Sequence, residues 1–278
     1  MKVNTPSNTF TKHLFFRSKP KRMLQKLGFW RVNKPDFFVL GVQKAGTTSL
    51  HNQLQTHPDL VGPIELKECH FFDTVTELNP KNIAAYERHF YPNWYAKGKR
   101  VFESTPRYIF LESALALLHE YAPSAKFILV LREPAERAFS QWSMRRWNAD
   151  KGHVKTEHRP FDECVSDLSH EYVTRGYYAA QLKVYLKYFD AQQLHIIDFT
   201  AFKNRNAEVM AGICDFLALP KYDFQPIHSY QRSKDVEHQY GECLNQLRRH
   251  YEPMNAELKQ LLADVWGTSM SWLDSNRA

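Results

Sequence analysis

Residues Phe37-Phe38-Val39-Leu40-Gly41-Val42-Gln43-Lys44-Ala45-Gly46-Thr47-Thr48-Ser49-Leu50 decide the fold. The opening run is short, apolar and uninterrupted, as an interior parallel strand should be. Gly41 and Gly46 bound a tight loop, where backbone turns sharply or approaches a ligand closely. Thr47, Thr48 and Ser49 then crowd the first turn of a helix with hydroxyls, beside backbone N–H groups that have no intrahelical partner. Such a turn favours an anion.

The spacing Gly41-x-x-x-x-Gly46-Thr47-Thr48 is that of a nucleotide phosphate loop, but Thr47 stands where an NTPase has its lysine. The lysine lies three residues earlier, as Lys44. An ordinary strand–turn–helix corner with a chance lysine fits the same stretch, so the choice rests on the rest of the chain.

A chain of 278 residues with 43% hydrophobic and 14% aromatic content builds a substantial core. Its net charge of +7 resembles a nucleic-acid signal until it is located. Residues 1–35 carry Lys2, Lys12, Arg17, Lys19, Lys21, Arg22, Lys26, Arg31 and Lys34 and no acid, so the remainder is at −2. The basic balance therefore belongs to an N-terminal extension, 1–35, ahead of a single domain, 36–278. That extension is either a solvated lead-in or a contact for an anionic membrane surface or polyanion. No nucleic-acid partner is implied. Cys69, Cys164, Cys214 and Cys243 are far apart, without a C-x-x-C pair, and no metal site is expected. Reduced thiols, the lack of a long apolar segment and the lack of a signal-type apolar core point to a cytoplasmic protein, at most peripheral to a membrane.

Strands are expected at 37–41, 101–104, 126–132 and 194–199. Helices are expected from Gly46-Thr47 to before His57-Pro58, within 80–100, at 113–121, 134–147, 176–189 and 206–218, and around 20–27, 240–251 and 255–265. Residues 148–162 and 225–239 read as polar loops. Strands alternating with helices imply a mostly parallel central sheet covered on both faces, an α/β three-layer arrangement. Arg132 falls at the tip of the 126–132 strand, where open α/β sheets bind ligands.

Three stretches together resemble the sulfotransferases that use 3′-phosphoadenosine 5′-phosphosulfate (PAPS), closest to the carbohydrate, heparan-sulfate type. They are Gln43-Lys44-Ala45-Gly46-Thr47-Thr48, Arg132-Glu133-Pro134-Ala135-Glu136-Arg137-Ala138-Phe139-Ser140 and Lys67-Glu68-Cys69-His70-Phe71-Phe72-Asp73. Weaker likenesses are Glu103-Ser104-Thr105-Pro106-Arg107-Tyr108, Gly176-Tyr177 and Ile213-Cys214-Asp215-Phe216-Leu217. The resemblance covers about 36–265 and implies a P-loop-like fold, PAPS as sulfuryl donor and adenosine 3′,5′-bisphosphate (PAP) as product.

It also implies roles. Lys44, with Ala45, Gly46, Thr47, Thr48 and Ser49, would hold the 5′-phosphosulfate and neutralise the leaving group, since sulfuryl transfer, like phosphoryl transfer, is an in-line displacement governed by positioning and charge. Arg132 and Ser140 would hold the 3′-phosphate. Glu68 would act as general base toward a hydroxyl or amine, with His70 as reserve base or positioner. Ser104 departs from the pattern, because carbohydrate relatives often carry a lysine there; Arg107 or Lys67 would have to stand in. The late arginine-bearing cofactor loop is best matched by Arg232. A segment like the Gly-Asp-Trp-Lys-Asn of the small-molecule cytosolic branch is absent. Two other functions stay open on the residues alone: a P-loop kinase or NTPase, and a non-catalytic polyanion- or membrane-binding protein. The first is opposed by the missing Gly-Lys-Ser/Thr and by Arg132 in place of a magnesium-binding aspartate.

Overall fold

All five residues of Phe37–Gly41 are buried in a strand, β1, as their apolar run requires. The computed structural model describes residues 32–150, 156–225 and 239–274. The expected helix at 20–27, nearly all of the basic extension and Arg232 lie outside them.

After β1 the chain forms α1 (Thr47–Leu54), β2 (Leu60–Val61), α2 (Pro80–Glu87), β3 (Arg100–Ser104), a 3-10 turn (Tyr108–Phe110), α3 (Glu112–Tyr121), β4 (Lys126–Leu131) and α4 (Pro134–Asp150). Then come α5 (Phe161–Ser166), α6 (Glu171–Thr174), α7 (Tyr178–Tyr185), β5 (Leu194–Asp198), α8 (Phe199–Asn204), α9 (Asn206–Leu217), α10 (Gly241–Trp266) and α11 (Ser271–Asp274). The strands build a five-stranded sheet in the order β2-β3-β1-β4-β5. Every pairing is parallel, with Phe37 opposite both Phe102 and Lys126, and Phe127 opposite Leu194.

That order places the site. From β1 the chain passes to β2 at the sheet's edge and returns to β3 beside β1; it then crosses to the other side of β1, to β4 and β5. The direction reverses between β1 and β4, and the carboxyl ends of two strands whose connections diverge are where open parallel sheets bind ligands. The loop carrying Lys44 follows β1, and Arg132 follows β4.

The sheet is covered by an aromatic core. Phe38, Phe72, Tyr86, Tyr108, Phe127 and Tyr185 are each at most 1% exposed. Phe71 stacks on Tyr86 at 4.6 Å between ring centroids, so the end of the Lys67–Asp73 motif is anchored in the core while its start, Lys67 and Glu68, is half-buried. A second cluster, around Trp142, Phe161, Tyr172 and Tyr251, joins α4 to α10.

Several expected elements differ in extent. Within 80–100 only Pro80–Glu87 is helical, closed at its start by an Asn79 capping box; beyond it the chain turns and buries Phe90 and Tyr91. α4 continues to Asp150, past 147, and α5 begins at the end of the expected 148–162 loop. Helix α7 starts at Tyr178 rather than Gly176. A Cβ at Gly176 would lie 2.6 Å from the Tyr251 hydroxyl, which donates to the Val173 carbonyl at 2.7 Å, so that position has room only for glycine. β5 ends at Asp198, whose carboxylate accepts from Thr200 N at 2.7 Å and opens α8, so Phe199 is helical. α10 is one helix running through Pro253 instead of two. The proline removes one helical hydrogen bond, but Leu244, Leu247, Tyr251, Leu258 and Leu262 bury one face on both sides of it, and packing outweighs the local penalty. Among the described residues no helix is long and apolar enough to cross a membrane.

Candidate active site

The loop after β1 has the shape of an anion cradle. Lys44 (φ 75°) and Gly46 (φ 79°) both adopt the left-handed conformation, and between them the Ala45 N–H donates to the Val42 carbonyl at 3.1 Å, closing a tight turn ahead of α1. Lys44 is the costly one, because an L-residue with a Cβ resists that region by roughly 1–2 kcal/mol. At Gly46 a Cβ would also sit 3.0 Å from the Phe199 ring, so this glycine is required twice over. No side chain caps α1, so its first N–H groups face the loop. Thr47 is buried, Thr48 exposed and Ser49 half-buried. The Lys44 ammonium lies 3.4 Å from the Sδ of Met144, on α4.

Arg132 meets this loop from β4. Its NH1 donates to the Lys44 carbonyl at 3.2 Å, NH2 lies 3.4 Å from Glu136 Oε2, and the guanidinium covers the Phe199 ring at 5.0 Å. Its Nε is buried with no hydrogen-bond partner. Tyr178 donates to the Arg132 carbonyl at 2.8 Å and fixes the backbone at the turn. Glu133 caps α4, accepting from Ala135 N at 2.9 Å and Glu136 N at 2.8 Å. Arg137, in the same motif, is a structural residue: fully buried, it donates to Gln141 Oε1 at 2.7 Å and to the Tyr172 carbonyl. Ser140 is half-buried on α4, on the chain's course from Arg132 to Met144.

The segment before α2 supplies a chain of ionised groups. Lys67 Nζ donates to Glu68 Oε1 at 2.7 Å and lies 3.4 Å from Thr47 Oγ1, joining this segment to the phosphate loop. His70 Nε2 faces Glu68 Oε2 at 3.2 Å, and His70 Nδ1 faces Asp73 Oδ2 at 2.8 Å. Arg107 NH1 completes the chain on Asp73 at 3.3 Å. Hydrogen bonds to Asp73 and Glu68 push the His70 imidazole up to about 9. Burial alone would raise Glu68, but the His70 hydrogen bond and the Lys67 charge outweigh it and bring the carboxyl down to about 2. At neutral pH both groups are therefore ionised.

Residues 34–245 match the sulfotransferase domain family. The chain belongs to the sulfotransferase family. Over 259 residues it is 27% identical to bifunctional heparan sulfate N-deacetylase/N-sulfotransferase 1 of Caenorhabditis briggsae, covering 86% of this chain and 30% of that protein. Over 191 residues it is 30% identical to heparan sulfate glucosamine 3-O-sulfotransferase 5 of Mus musculus, covering 67% of this chain and 54% of that protein. The chain thus spans less than two thirds of either relative. The crystal structure of a sulfotransferase from Alicyclobacillus acidocaldarius superposes with a TM-score of 0.65 at 27% identity, covering 88% of this chain and all of that one.

In this sulfotransferase-family chain the switch point brings together Lys44, Gly46, Thr47 and Arg132, and Lys67 links Glu68 and His70 to them. Sequence reasoning missed three contributors. Asp73 orients His70 from the last position of the motif, an i,i+3 spacing visible in the sequence. Arg175 donates to Gln43 Oε1 at 2.7 Å, steadying the loop from 132 residues away, and no local pattern signals it. Phe199 forms the platform under Arg132, hidden because it reads as a strand residue.

The Glu68–His70–Asp73 chain has a pH signature. The folded His70 pKa of about 9 lies above its ordinary 6.5, so its stabilisation is complete below about pH 6.5 and lost as pH rises through 9. The folded Glu68 pKa of about 2 lies below its ordinary 4.5, so its share is complete above about pH 4.5 and lost as pH falls through 2. His70→Asn, chosen because asparagine tolerates the left-handed backbone at this position (φ 49°), should lower the melting temperature most between about pH 4.5 and 6.5 and least above pH 9. Thermal melts of both proteins across that range check this; a deficit independent of pH would contradict the ionised chain.

Proposed function

We propose that this chain transfers a sulfuryl group from PAPS to a hydroxyl or amine of a carbohydrate. The observation that carries the reading is the juxtaposition, at the carboxyl ends of the neighbouring strands β1 and β4, of two separate anion-binding devices. One is the Lys44 loop with the uncapped start of α1; the other is Arg132, bonded to the Lys44 carbonyl at 3.2 Å and retaining a buried, unbonded Nε. A ligand with phosphates at both ends of a nucleoside suits that pair, and PAPS has them at 5′ and 3′. An ordinary NTPase site would instead place a magnesium-binding carboxylate after β4.

PAPS supplies the activated sulfuryl group; the residues here govern charge and protons. Lys44 and the N–H groups of Gly46, Thr47 and Thr48 neutralise the leaving phosphate oxygen, while the Ala45 N–H donates to the Val42 carbonyl at 3.1 Å and holds the loop's turn. Glu68 accepts the acceptor's proton as the new bond to sulfur forms and the bond to the bridging oxygen breaks, its electron pair leaving on that oxygen. His70 is protonated at neutral pH, so it has no lone pair for a proton; it holds Glu68 in place, oriented in turn by Asp73. The carbohydrate acceptor is favoured by the names of the two heparan sulfate relatives.

Incubation with PAPS labelled in its sulfate, against a panel of unsulfated and N-unsubstituted glycosaminoglycan chains, tests this. Label on a glycan without added magnesium is the expected result. Magnesium-dependent ATP turnover with no label on any glycan would replace this reading with the NTPase.

A further inference from the structure

The motif containing Ser104 lacks the lysine often found in carbohydrate relatives, and the structure closes that position to a cation. Ser104 is fully buried, and its Oγ lies 2.9 Å from His51 Nδ1. Gln55 Nε2 lies 2.8 Å from His51 Nε2. An amide nitrogen only donates, so His51 Nε2 accepts and Nδ1–H donates to Ser104. Burial, aided by the Lys67 charge, pushes the His51 imidazole down to about 4, so the Gln55–His51–Ser104 relay is neutral at physiological pH. Ser104 therefore offers the site a hydroxyl and no charge.

Arg107 and Lys67 are the cations left to stand in. Arg107 is held at the far end of the ionised chain, its NH1 on Asp73 at 3.3 Å. Lys67 reaches inward. Its ammonium lies between Thr47 Oγ1 at 3.4 Å, in the first turn of α1, and Glu68 Oε1 at 2.7 Å, and its charge is felt at His51 beside Ser104. It stands between the cradle for the leaving group and the candidate base, where a sulfuryl group in transit would lie.

We propose that Lys67 is the second catalytic cation, moving from Glu68 onto the oxygens of the sulfuryl group when donor fills the loop. The inference rests on the sulfotransferase reading above. Two consequences come from one movement. The ammonium stabilises charge on the sulfuryl oxygens during transfer. Its departure also removes from Glu68 a positive charge that makes the carboxylate a weak base, so Glu68 gains basicity only once donor is in place. Such coupling keeps the base paired in the empty enzyme and frees it in the loaded one.

The test measures turnover with labelled PAPS and binding of PAP by calorimetry for wild type, Lys67→Ala and Lys67→Gln. PAP lacks the sulfuryl group, so both variants should bind it within about threefold of wild type while turnover falls about 10²-fold, the size of effect seen for loss of one transition-state donor. Ethylammonium added to Lys67→Ala should restore part of the turnover, and it should leave Lys67→Gln, whose side chain fills the space, unrestored. Turnover within threefold of wild type in Lys67→Ala overturns the proposal. So does a parallel loss of turnover and PAP binding without rescue, which marks Lys67 as a structural prop for the loop. A wild-type protein that transfers nothing overturns the underlying sulfotransferase reading, a result distinguishable because it precedes any comparison of variants.

Discussion

Lys44→Ala is expected to lower sulfuryl transfer by about 10²–10³-fold, in line with removal of one preorganised donor from a site of developing negative charge. The loss should fall mainly on kcat, because charge on the leaving phosphate oxygen is greatest in the transition state. Lys44 also has a backbone signature: its φ of 75° belongs to a conformation that glycine adopts freely and lysine does not. A side chain retained where the backbone resists it marks function rather than folding. Lys44→Gly should therefore be as inactive as Lys44→Ala while folding at least as stably as Lys44→Ala, a comparison read by steady-state kinetics beside urea unfolding. A glycine variant that is both active and stabilised would remove Lys44 from the chemistry.

Glu68→Gln is expected to cut turnover by about 10²–10⁴-fold, the usual contribution of a positioned general base, and to leave PAP binding near wild type. The glutamine keeps the shape but has one accepting oxygen where Glu68 uses two, so it accepts from Lys67 or from His70, and it takes no proton at neutral pH. Unchanged turnover would assign proton removal to another group. The His70 hydrogen bond and the Lys67 charge hold the resting pKa of Glu68 down to about 2, so departure of Lys67 on loading raises it in part while the His70 bond remains. Measuring Glu68→Gln and Lys67→Ala together separates the base from the cation. The first should resist rescue by ethylammonium and the second should respond.

Much of this site is legible in sequence, because it is built from short contiguous stretches. Phe37 to Leu50 contains a complete strand, loop and helix start, and the unusual place of Lys44 within it separates it from an NTPase loop. Arg132 could be put at a strand tip because Lys126 to Leu131 is apolar apart from its first residue, and a strand tip in a parallel sheet is a binding position wherever the strand order reverses. Glu68 and His70 were visible only as a motif; their ionisation depends on Asp73, Lys67 and Arg107, whose side chains meet in space. What local pattern could not show is long-range. Arg175 steadying Gln43, Phe199 under Arg132, and the His51–Ser104 hydrogen bond at the end of β3 join residues 53 to 132 positions apart. The continuous α10 also lay beyond local reading, since Pro253 argues for a break and only the buried face on both sides of it argues against one.

The central claim is a grip on two phosphates of one nucleotide, by the Lys44 loop and by Arg132. Calorimetric titration of wild type and Arg132→Ala with PAP and with 5′-AMP, without magnesium, tests it most directly. PAP should bind wild type at one site and at least about 10²-fold more tightly than 5′-AMP, as expected for a charge-assisted bidentate contact worth about 3 kcal/mol, and Arg132→Ala should lose most of that difference. Equal affinity for the two nucleotides in wild type, or a preference unaltered by Arg132→Ala, would contradict the account.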